Sequence, residues 1–595
     1  MIPERIAKLR QEMKQRNISV YVIPTADFHE SEYAGDYFKA RKYMTGFTGS
    51  AGTAVITMKE AGLWTDGRYF VQAAQQLKGT TVELHRMGEP GVLTITEYIR
   101  KELESGTFLG FDGRVINGNL GKAMEKIAVE KGAFICAEED LVDLIWEDRP
   151  ALSCKPVFLF EEAYAGKSTE EKIREVRKIM EEKGAGIHLM TFLYDISWLL
   201  NVRGGDISHV PVVLSNLSLT KDQCIWFVQE EALNEEVCAY LKKNHIETRP
   251  YYDFYEYVKE LPEGETVLMD VSVVNYRIVK TIPQNVKILN EQNPSVFMRA
   301  VKNETEIKNT RIAHIKDGVV MCKFMYWLKT NIGKIPMTEI SVSDYLADLR
   351  AKQEGFLDLS FDTISAYGEH GALCHYSATE ESNAEIRPEG FLLVDSGGHY
   401  LEGTTDITRT FAMGAVTQEM KEHFTRVCRG TINLANTRFL YGCTGRNLDI
   451  IAREPLWEAH LDYNHGTGHG VGHVLSVHEG PQNFRWRQNP AVPEAILEEG
   501  MITSDEPGLY LEGRYGIRTE NELLCRKGEQ TEYGQFMYFE NLTYAPIDLD
   551  ALLPEEMTLT EKKRLNAYHK SVYEVISPYL TEQEKVWLKE YTREI

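Results

Sequence analysis

The sequence predicts an α/β (α+β) protein of three domains, and three observations carry that prediction. Helical and strand-like periodicities alternate through the first half of the chain, a capped amphipathic helix opens a new unit near Asn303, and apolar strands beyond it end in carboxylates. At 595 residues the chain exceeds what one hydrophobic core supports, since domains run to roughly 100–200 residues. With 43 % hydrophobic and 26 % charged residues, it has the composition of a globular protein rather than a disordered or fibrous one.

The first element is an amphipathic helix carrying Ile6, Leu9 and Met13 on one face. Strand-like runs follow at Val20–Pro24 and Thr53–Thr57. After Pro156 a charged helical segment spans 161–183, and the run His188–Leu193 then restarts a strand pattern, so a new domain opens at 156. A weak internal echo links Tyr43–Gly49 and its strand Ala54–Ile56 to Trp198–Gly204 and a strand at Val212–Leu214. Asn303 and Glu306 form a capping pair ahead of Ile312, Ile315, Val319 and Cys322, the inward stripe of a long helix. The resulting domains are 1–155, 156–302 and 303–595. From about 540 the last carries a helical extension, with Glu561–Arg564 on a solvated face and Tyr568, Tyr573 and Tyr579 suited to packing or dimer formation.

Bulk charge limits the partners. A net charge of −23, with no basic run long enough to track phosphates, repels polyanions, so nucleic acid is not an expected partner. Met1–Arg5 lacks the apolar core of a signal peptide, and the stretch through Trp198, Leu199 and Leu200 is interrupted by charge. A soluble, cytoplasmic protein without a membrane partner is expected. The nine cysteines are scattered, never spaced CxxC, and read as small buried hydrophobes in a reducing compartment.

The chemistry lies in the third domain. Phe391–Val394 reads as a buried strand that ends in Asp395, and a carboxylate there needs a partner. The chain returns through Thr404–Phe411. A hairpin centred near Tyr400 and Leu401 sets Asp395 opposite Asp406, and two carboxylates roughly 5 Å apart on one face repel unless a cation sits between them. His465 and His469 then stand among four glycines, His478 follows, Glu506 ends another strand, and Arg518 and Glu520 share a face of the short strand 515–521. Carboxylates with an imidazole make a hard, oxygen-rich ligand set suited to Mn²⁺, Co²⁺, Zn²⁺ or Fe²⁺. Bridging carboxylates suggest two ions, which together can activate a shared water and polarise a carbonyl.

These residues resemble a known group, the metallopeptidases of the pita-bread fold and, within it, the three-domain cytosolic aminopeptidase P (Xaa-Pro aminopeptidase) family. The motifs are LCHYSA at 373–378, VDSGGHYLEGTTDITRT at 394–410, HGTGHGVGH at 465–473, VHEGP at 477–481, DEPG at 505–508 and GIRTEN at 516–521. GFTGSAG at 46–52 and WTDGRY at 64–69 look like that family's N-terminal domain, and FENLT at 539–543 like the start of its C-terminal extension. The resemblance implies two creatinase-like domains followed by a catalytic pita-bread domain. It also implies two divalent ions, Mn²⁺ first with Co²⁺ or Zn²⁺ as alternatives, held by Asp395, Asp406, His469, Glu506 and Glu520, with Asp406 and Glu520 bridging.

By the same resemblance, His375, His465 and His478 surround the substrate, and Glu506 assists proton transfer at a bridging hydroxide. Peptides beginning Xaa-Pro are the implied substrates, and a homodimer the implied assembly. Arg518 either orients a carboxylate or touches substrate. His399 and His473 read as structural or solvent-facing. Prolidase, which cuts dipeptides only, and a non-catalytic peptide-binding module are the competing readings. The wording of the histidine motifs argues against the first, and intact ligands at all five positions against the second.

Overall fold

The opening amphipathic segment folds as the helix Ile2–Gln15, with Ile6, Leu9 and Met13 inside. The computed structural model describes residues 1–487 and 494–595, in two units: Met1–Phe160 with Lys167–Ser295, and Glu161–Gly166 with Val296–Ile595.

The first unit contains two six-stranded sheets. One comprises β1 (Ile18–Pro24), β2 (Thr53–Thr57), β3 (Ala61–Thr65), β4 (Glu83–Arg86), β5 (Phe108–Phe111) and β6 (Phe134–Cys136), in the order β4-β3-β2-β1-β5-β6. The other comprises β7 (Ile187–Met190), β8 (Ser215–Thr220), β9 (Cys224–Val228), β10 (Glu247–Pro250), β11 (Thr266–Met269) and β12 (Lys287–Asn290), in the order β10-β9-β8-β7-β11-β12. In both, three antiparallel strands form the middle and parallel strands flank them. The two sheets are therefore one topology written twice.

The internal echo seen in the sequence is real but differently placed. The run read from His188 stops at Met190, and Leu193 begins the helix Leu193–Leu200, so Trp198–Leu200 is helical. Val212–Leu214 precedes β8 rather than forming it. What corresponds is a helix ended by a left-handed residue, Gly46 at φ 77° and Asn201 at φ 49°. A stronger repeat follows β5 and β11: Phe111-Asp112-Gly113-Arg114-Val115-Ile116-Asn117 and Met269-Asp270-Val271-Ser272-Val273-Val274-Asn275. Each asparagine caps the next helix, Asn117 accepting from the Leu120 amide and Asn275 from the Ile278 amide. The two copies also meet here. Asn117 and Asn275 form an antiparallel bridge, Gly118 N–H donates to Val274 O at 2.9 Å, and Tyr276 N–H to Ile116 O at 2.7 Å.

In the second unit Asn303 caps the helix Glu304–Asn331 with the expected reciprocal Glu306 bond. Val319 and Cys322 are buried, but Ile312 is exposed, because the inward face carries His314 and Asp317 instead. The helix Glu339–Ala351 follows. Strands β13 (Ile364–Tyr367), β14 (Phe391–Ser396) and β15 (Ile407–Ala412) form one antiparallel sheet. Strands β16 (Ile502–Asp505), β17 (Asn521–Thr531) and β18 (Gly534–Asn541), with the short strand Arg438–Leu440, form another.

Two details correct the sequence reading. Asp395 pairs with Thr408, not Asp406, because the hairpin turns at Leu401–Glu402, one residue later than expected. Tyr400 stays within a strand, buried and donating to Asp317 at 2.8 Å. Arg518 and Glu520 do not share one strand either. Tyr515–Arg518 pairs with Gly508–Leu511, and the chain changes sheets across Thr519–Glu520 before entering β17.

The C-terminal extension is tied to this core by Arg409, which is 1 % exposed. Its guanidinium donates to the carbonyls of Thr408, Glu520, Ala545 and Pro546, to Asn521 Oδ1 and to the Tyr568 hydroxyl, at 2.5 to 3.1 Å. Tyr568 lies on the helix Leu559–Ile576. Tyr579 is exposed, whereas Glu561, assigned to a solvated face, is buried as the capping partner of Thr558 and the acceptor of Arg429 and Asn433. Among the described cysteines Cys224, Cys322, Cys428 and Cys525 are buried and Cys238 is exposed. Among the described residues no helix is long and apolar enough to cross a membrane.

Candidate metal centre

Each candidate ligand sits where regular structure ends. Asp395 is the penultimate residue of β14, Asp406 immediately precedes β15, Glu506 immediately follows β16, and Glu520 immediately precedes β17. His469 belongs to the two-residue strand Gly468–His469, paired with Asn483–Phe484. Glycine is required beside it: a Cβ on Gly468 would lie 1.8 Å from Ser504 O, and one on Gly470 would lie 2.0 Å from Glu479 O.

The side chains converge. Ligand atoms of Asp395, Asp406 and Glu520 lie within 4.8 Å of one another, as do those of His469, Glu506 and Glu520, and those of Asp406, His469 and His478. Burial pushes the Asp395, Glu506 and Glu520 carboxyls upward, and their mutual repulsion with Asp406 adds to it. Arg518 opposes this at Asp395, and His469 and Arg518 oppose it at Glu506. Burial pushes His469 downward, but Asp406 and Glu506, each 3.5 Å from Nε2, overcome it and hold the imidazole at about 9.

The donor set fits divalent cations. Among the described residues Asp395 Oδ1 and Glu520 Oε1 are buried without a hydrogen-bond donor, while His469 Nδ1 faces Gly470 O at 3.0 Å, which leaves Nε2 as the atom that could ligate. Four carboxylates crowded around one imidazole are a hard-ligand pocket whose repulsion a cation relieves.

Around this cluster the structure adds groups that sequence spacing could not reveal. Arg518 donates to Asp395 at 2.6 Å, to the Tyr510 hydroxyl at 2.7 Å and to Thr408 at 3.2 Å, and Thr408 donates to Glu520 at 2.7 Å. Arg518 thus fixes the Asp395 carboxylate, a candidate ligand. Tyr510 reaches His465 Nε2 at 2.9 Å, and His465 Nδ1 faces Gly466 O at 2.7 Å, so both nitrogens of His465 are engaged within the protein. Burial, reinforced by Arg518, pushes His465 down to about 3, so the ring is neutral. Glu522 accepts from the Asp406 amide at 2.7 Å and faces His314 Nε2 at 3.2 Å.

His478 is half-buried and stands edge-to-face with His469, centroids 4.3 Å apart. Its neighbour Glu479 turns the other way, into a buried triad with Arg299 at 2.6 Å and Lys302 at 2.9 Å. His375 is exposed, on the segment between β13 and β14, and lies outside the three ligand groupings. His399 and His473 are both buried, the first against Thr404 and the second between Thr310 and Tyr164 O, so neither faces solvent.

Fold and site together define the class. Residues 308–527 match the model of metallopeptidase family M24, 5–144 and 148–306 match creatinase/prolidase N-terminal domain models, and 535–595 match the C-terminal region of peptidase M24. This is the architecture of a pita-bread metallopeptidase preceded by creatinase-like domains. A probable Xaa-Pro aminopeptidase P of Paracoccidioides brasiliensis is 36 % identical over 615 residues, covering 100 % of this chain and 99 % of its own. The Xaa-Pro aminopeptidase 1 of Dictyostelium discoideum is 37 % identical, covering 99 % and 96 %. A crystal structure of the X-prolyl aminopeptidase of Caenorhabditis elegans, described as a cytosolic enzyme with a di-nuclear active site, superposes with a TM-score of 0.95 at 33 % identity, covering 100 % of both chains. The chain belongs to the Xaa-Pro aminopeptidase P family of M24 metallopeptidases.

Proposed function

We propose that this protein is a metal-dependent aminopeptidase that releases the N-terminal residue from peptides with proline in the second position. One observation carries the reading: the five carboxylate and imidazole ligands converge in a chain similar along its whole length to aminopeptidases P. Asp395, Asp406, His469, Glu506 and Glu520 would hold two divalent ions. Manganese is the first choice, with cobalt or zinc as alternatives. When bound, such a pair supplies an activated water as nucleophile and polarises the scissile carbonyl.

The chain's own residues do the rest. Glu506, whose carboxyl is already pushed upward, takes the proton of the attacking water and passes it on to the leaving nitrogen. His478, beside His469, hydrogen-bonds the reacting carbonyl as it gains charge. His375 contacts the peptide from the exposed segment. His465 and Tyr510 form a wall for the proline ring, whose missing N–H leaves no donor to satisfy there. Arg518 holds Asp395 in place rather than binding the peptide directly. A cytoplasmic homodimer is the proposed state, supported for location by the cytosolic C. elegans relative.

Initial rates on Arg-Pro-Pro, acetyl-Arg-Pro-Pro, Arg-Ala-Pro and Arg-Pro, with metal restored after chelation, test the reading. Cleavage of Arg-Pro-Pro alone, or far ahead of Arg-Pro, is expected. Rapid cleavage of the acetylated or alanine peptide rejects it, and activity confined to Arg-Pro makes the protein a prolidase.

A further inference from the structure

Glu339 is a fully buried carboxylate at the first position of the helix Glu339–Ala351, remote in sequence from every ligand above. Among the described residues, the hydrogen bonds its side chain accepts come from one stretch, which runs from Tyr367 at the end of β13 to Ala384 ahead of β14. Oε1 accepts from the Tyr367 amide at 2.7 Å, and Oε2 from the Tyr376 hydroxyl at 2.8 Å and the Ala384 amide at 2.9 Å. His370 Nδ1 lies 2.9 and 3.1 Å from the two oxygens. The main chain repeats the attachment, Glu339 N–H donating to Ala384 O at 3.1 Å and Ile340 N–H to Asn383 Oδ1 at 3.1 Å.

The partners bracket His375. Tyr367 and His370 lie before it, Tyr376 and Ala384 after it, so one carboxylate closes the segment from both ends. The helix N-terminus favours a charge there. Tyr376 is buried and stacked on His370, centroids 4.5 Å apart, while its neighbour His375 is exposed. Leu373, Tyr376 and Ala378 pack in the same apolar cluster as Tyr510, whose hydroxyl bonds His465 and Arg518. The segment therefore shares its apolar packing with Tyr510, which is bonded to Arg518 beside the candidate ligands.

We propose that Glu339 is a positioning residue that fixes the His375 segment as one wall of the peptide site. The inference rests on the proposed function only for what His375 touches. The attachment itself is independent of it. The chemistry allows no simple substitute: the carboxylate meets donors on both oxygens, whereas an amide offers one acceptor and turns its NH₂ toward the Tyr376 hydroxyl and the Ala384 amide. Such a change loosens the segment without touching a metal ligand.

The experiment compares the parent, Glu339→Gln, His375→Ala and the double variant, all metal-loaded. Three readouts are followed: kcat/KM on Arg-Pro-Pro, bound metal per chain, and the rate of glutamyl-endopeptidase cleavage at the exposed Glu380 and Glu381. Glu339→Gln is expected to lower kcat/KM by about 10²-fold, as a displacement near 1 Å at a reacting site does. Metal content should stay at the parent value and cleavage of the segment should quicken at least tenfold. In the His375→Ala background the same change should add little, since the two residues act in series.

A kcat/KM within twofold of the parent, loss of metal, or full additivity of the two substitutions overturns the inference. Tyr376→Phe, which removes one bond to Glu339 together with the hydroxyl's contacts to Ser382, should show the same pattern weakly, and covers the case in which Glu339→Gln does not fold. If the parent cleaves none of the peptides, the proposed function fails. Protease susceptibility then decides the inference: faster cutting in Glu339→Gln and Tyr376→Phe sustains it, and unchanged cutting ends it.

Discussion

Replacing Arg409 by methionine keeps most of the volume and removes every bond of the guanidinium. Six acceptors, all inside the second unit, lose a donor; four are main-chain carbonyls, of which Thr408 O keeps the Glu520 amide and Ala545 O keeps the Tyr568 hydroxyl, while Glu520 O and Pro546 O lose the guanidinium bond outright. A hydrogen bond to a charged group contributes about 1.5–3 kcal/mol, and a buried acceptor left unpaired costs about 1–3 kcal/mol. The effects are not additive, but even two such losses reach about 4 kcal/mol, the upper end for a single substitution. For a unit of this size each kcal/mol moves Tm by about 2 °C, so a fall of about 8 °C or more is expected. Calorimetry in excess chelator reads it without any contribution from metal. Because the bonds join Glu520 O to Ala545, Pro546 and Tyr568, near-ultraviolet circular dichroism should change as the extension detaches. A Tm drop under 3 °C would show that solvent replaces the guanidinium easily and refute the reasoning.

Three further outcomes follow from the site. Asp406→Ala should reduce bound metal from two ions per chain to one or none, measured by elemental analysis after gel filtration. Two ions retained would count against a bridging role. His478→Ala should lower kcat by about 10²-fold at saturating metal with metal content unchanged, because a bond made mainly in the transition state appears in kcat; altered metal content with normal kcat contradicts the assignment. Chelation should destabilise the protein more at pH 8 than at pH 5. The Asp395, Glu506 and Glu520 carboxyls are raised in the metal-free fold, so their contribution is fully present below the ordinary carboxyl range of about 4–4.5 and is lost as pH rises through the folded values. Thermal scans with and without chelator across that range check it, and a gap independent of pH refutes it.

The carboxylate pair was legible in the sequence although its register was not. Moving the turn by one residue shifts the pairing by two, and a shift of two leaves Asp395 and Asp406 on the same side of the hairpin. The break at Thr519–Glu520 was hidden because a chain that leaves one sheet for another keeps its strand-like composition. Glu339, Tyr510 and Glu522 stand among ordinary helix and strand residues, and only the fold brings them to their partners. His465 carried a visible motif, yet nothing in HGTGHG shows that both its nitrogens are engaged. In the first unit the useful signal was the paired F-D-G-R-V-I-N and M-D-V-S-V-V-N, more informative than the glycine turns because the aspartate and asparagine each have a fixed task in the chain that follows.

The meeting of those two copies has a consequence of its own. Gly118 bonds Val274 while Tyr276 bonds Ile116, and Asn117 faces Asn275, so each copy offers the other the same surface. That reciprocity is the mark of an isologous contact, the kind two identical subunits make about a twofold axis. The first unit is built as a homodimer whose subunits share one chain. The main chain carries that symmetry while the side chains do not, since Gly118 stands where the other copy has Tyr276.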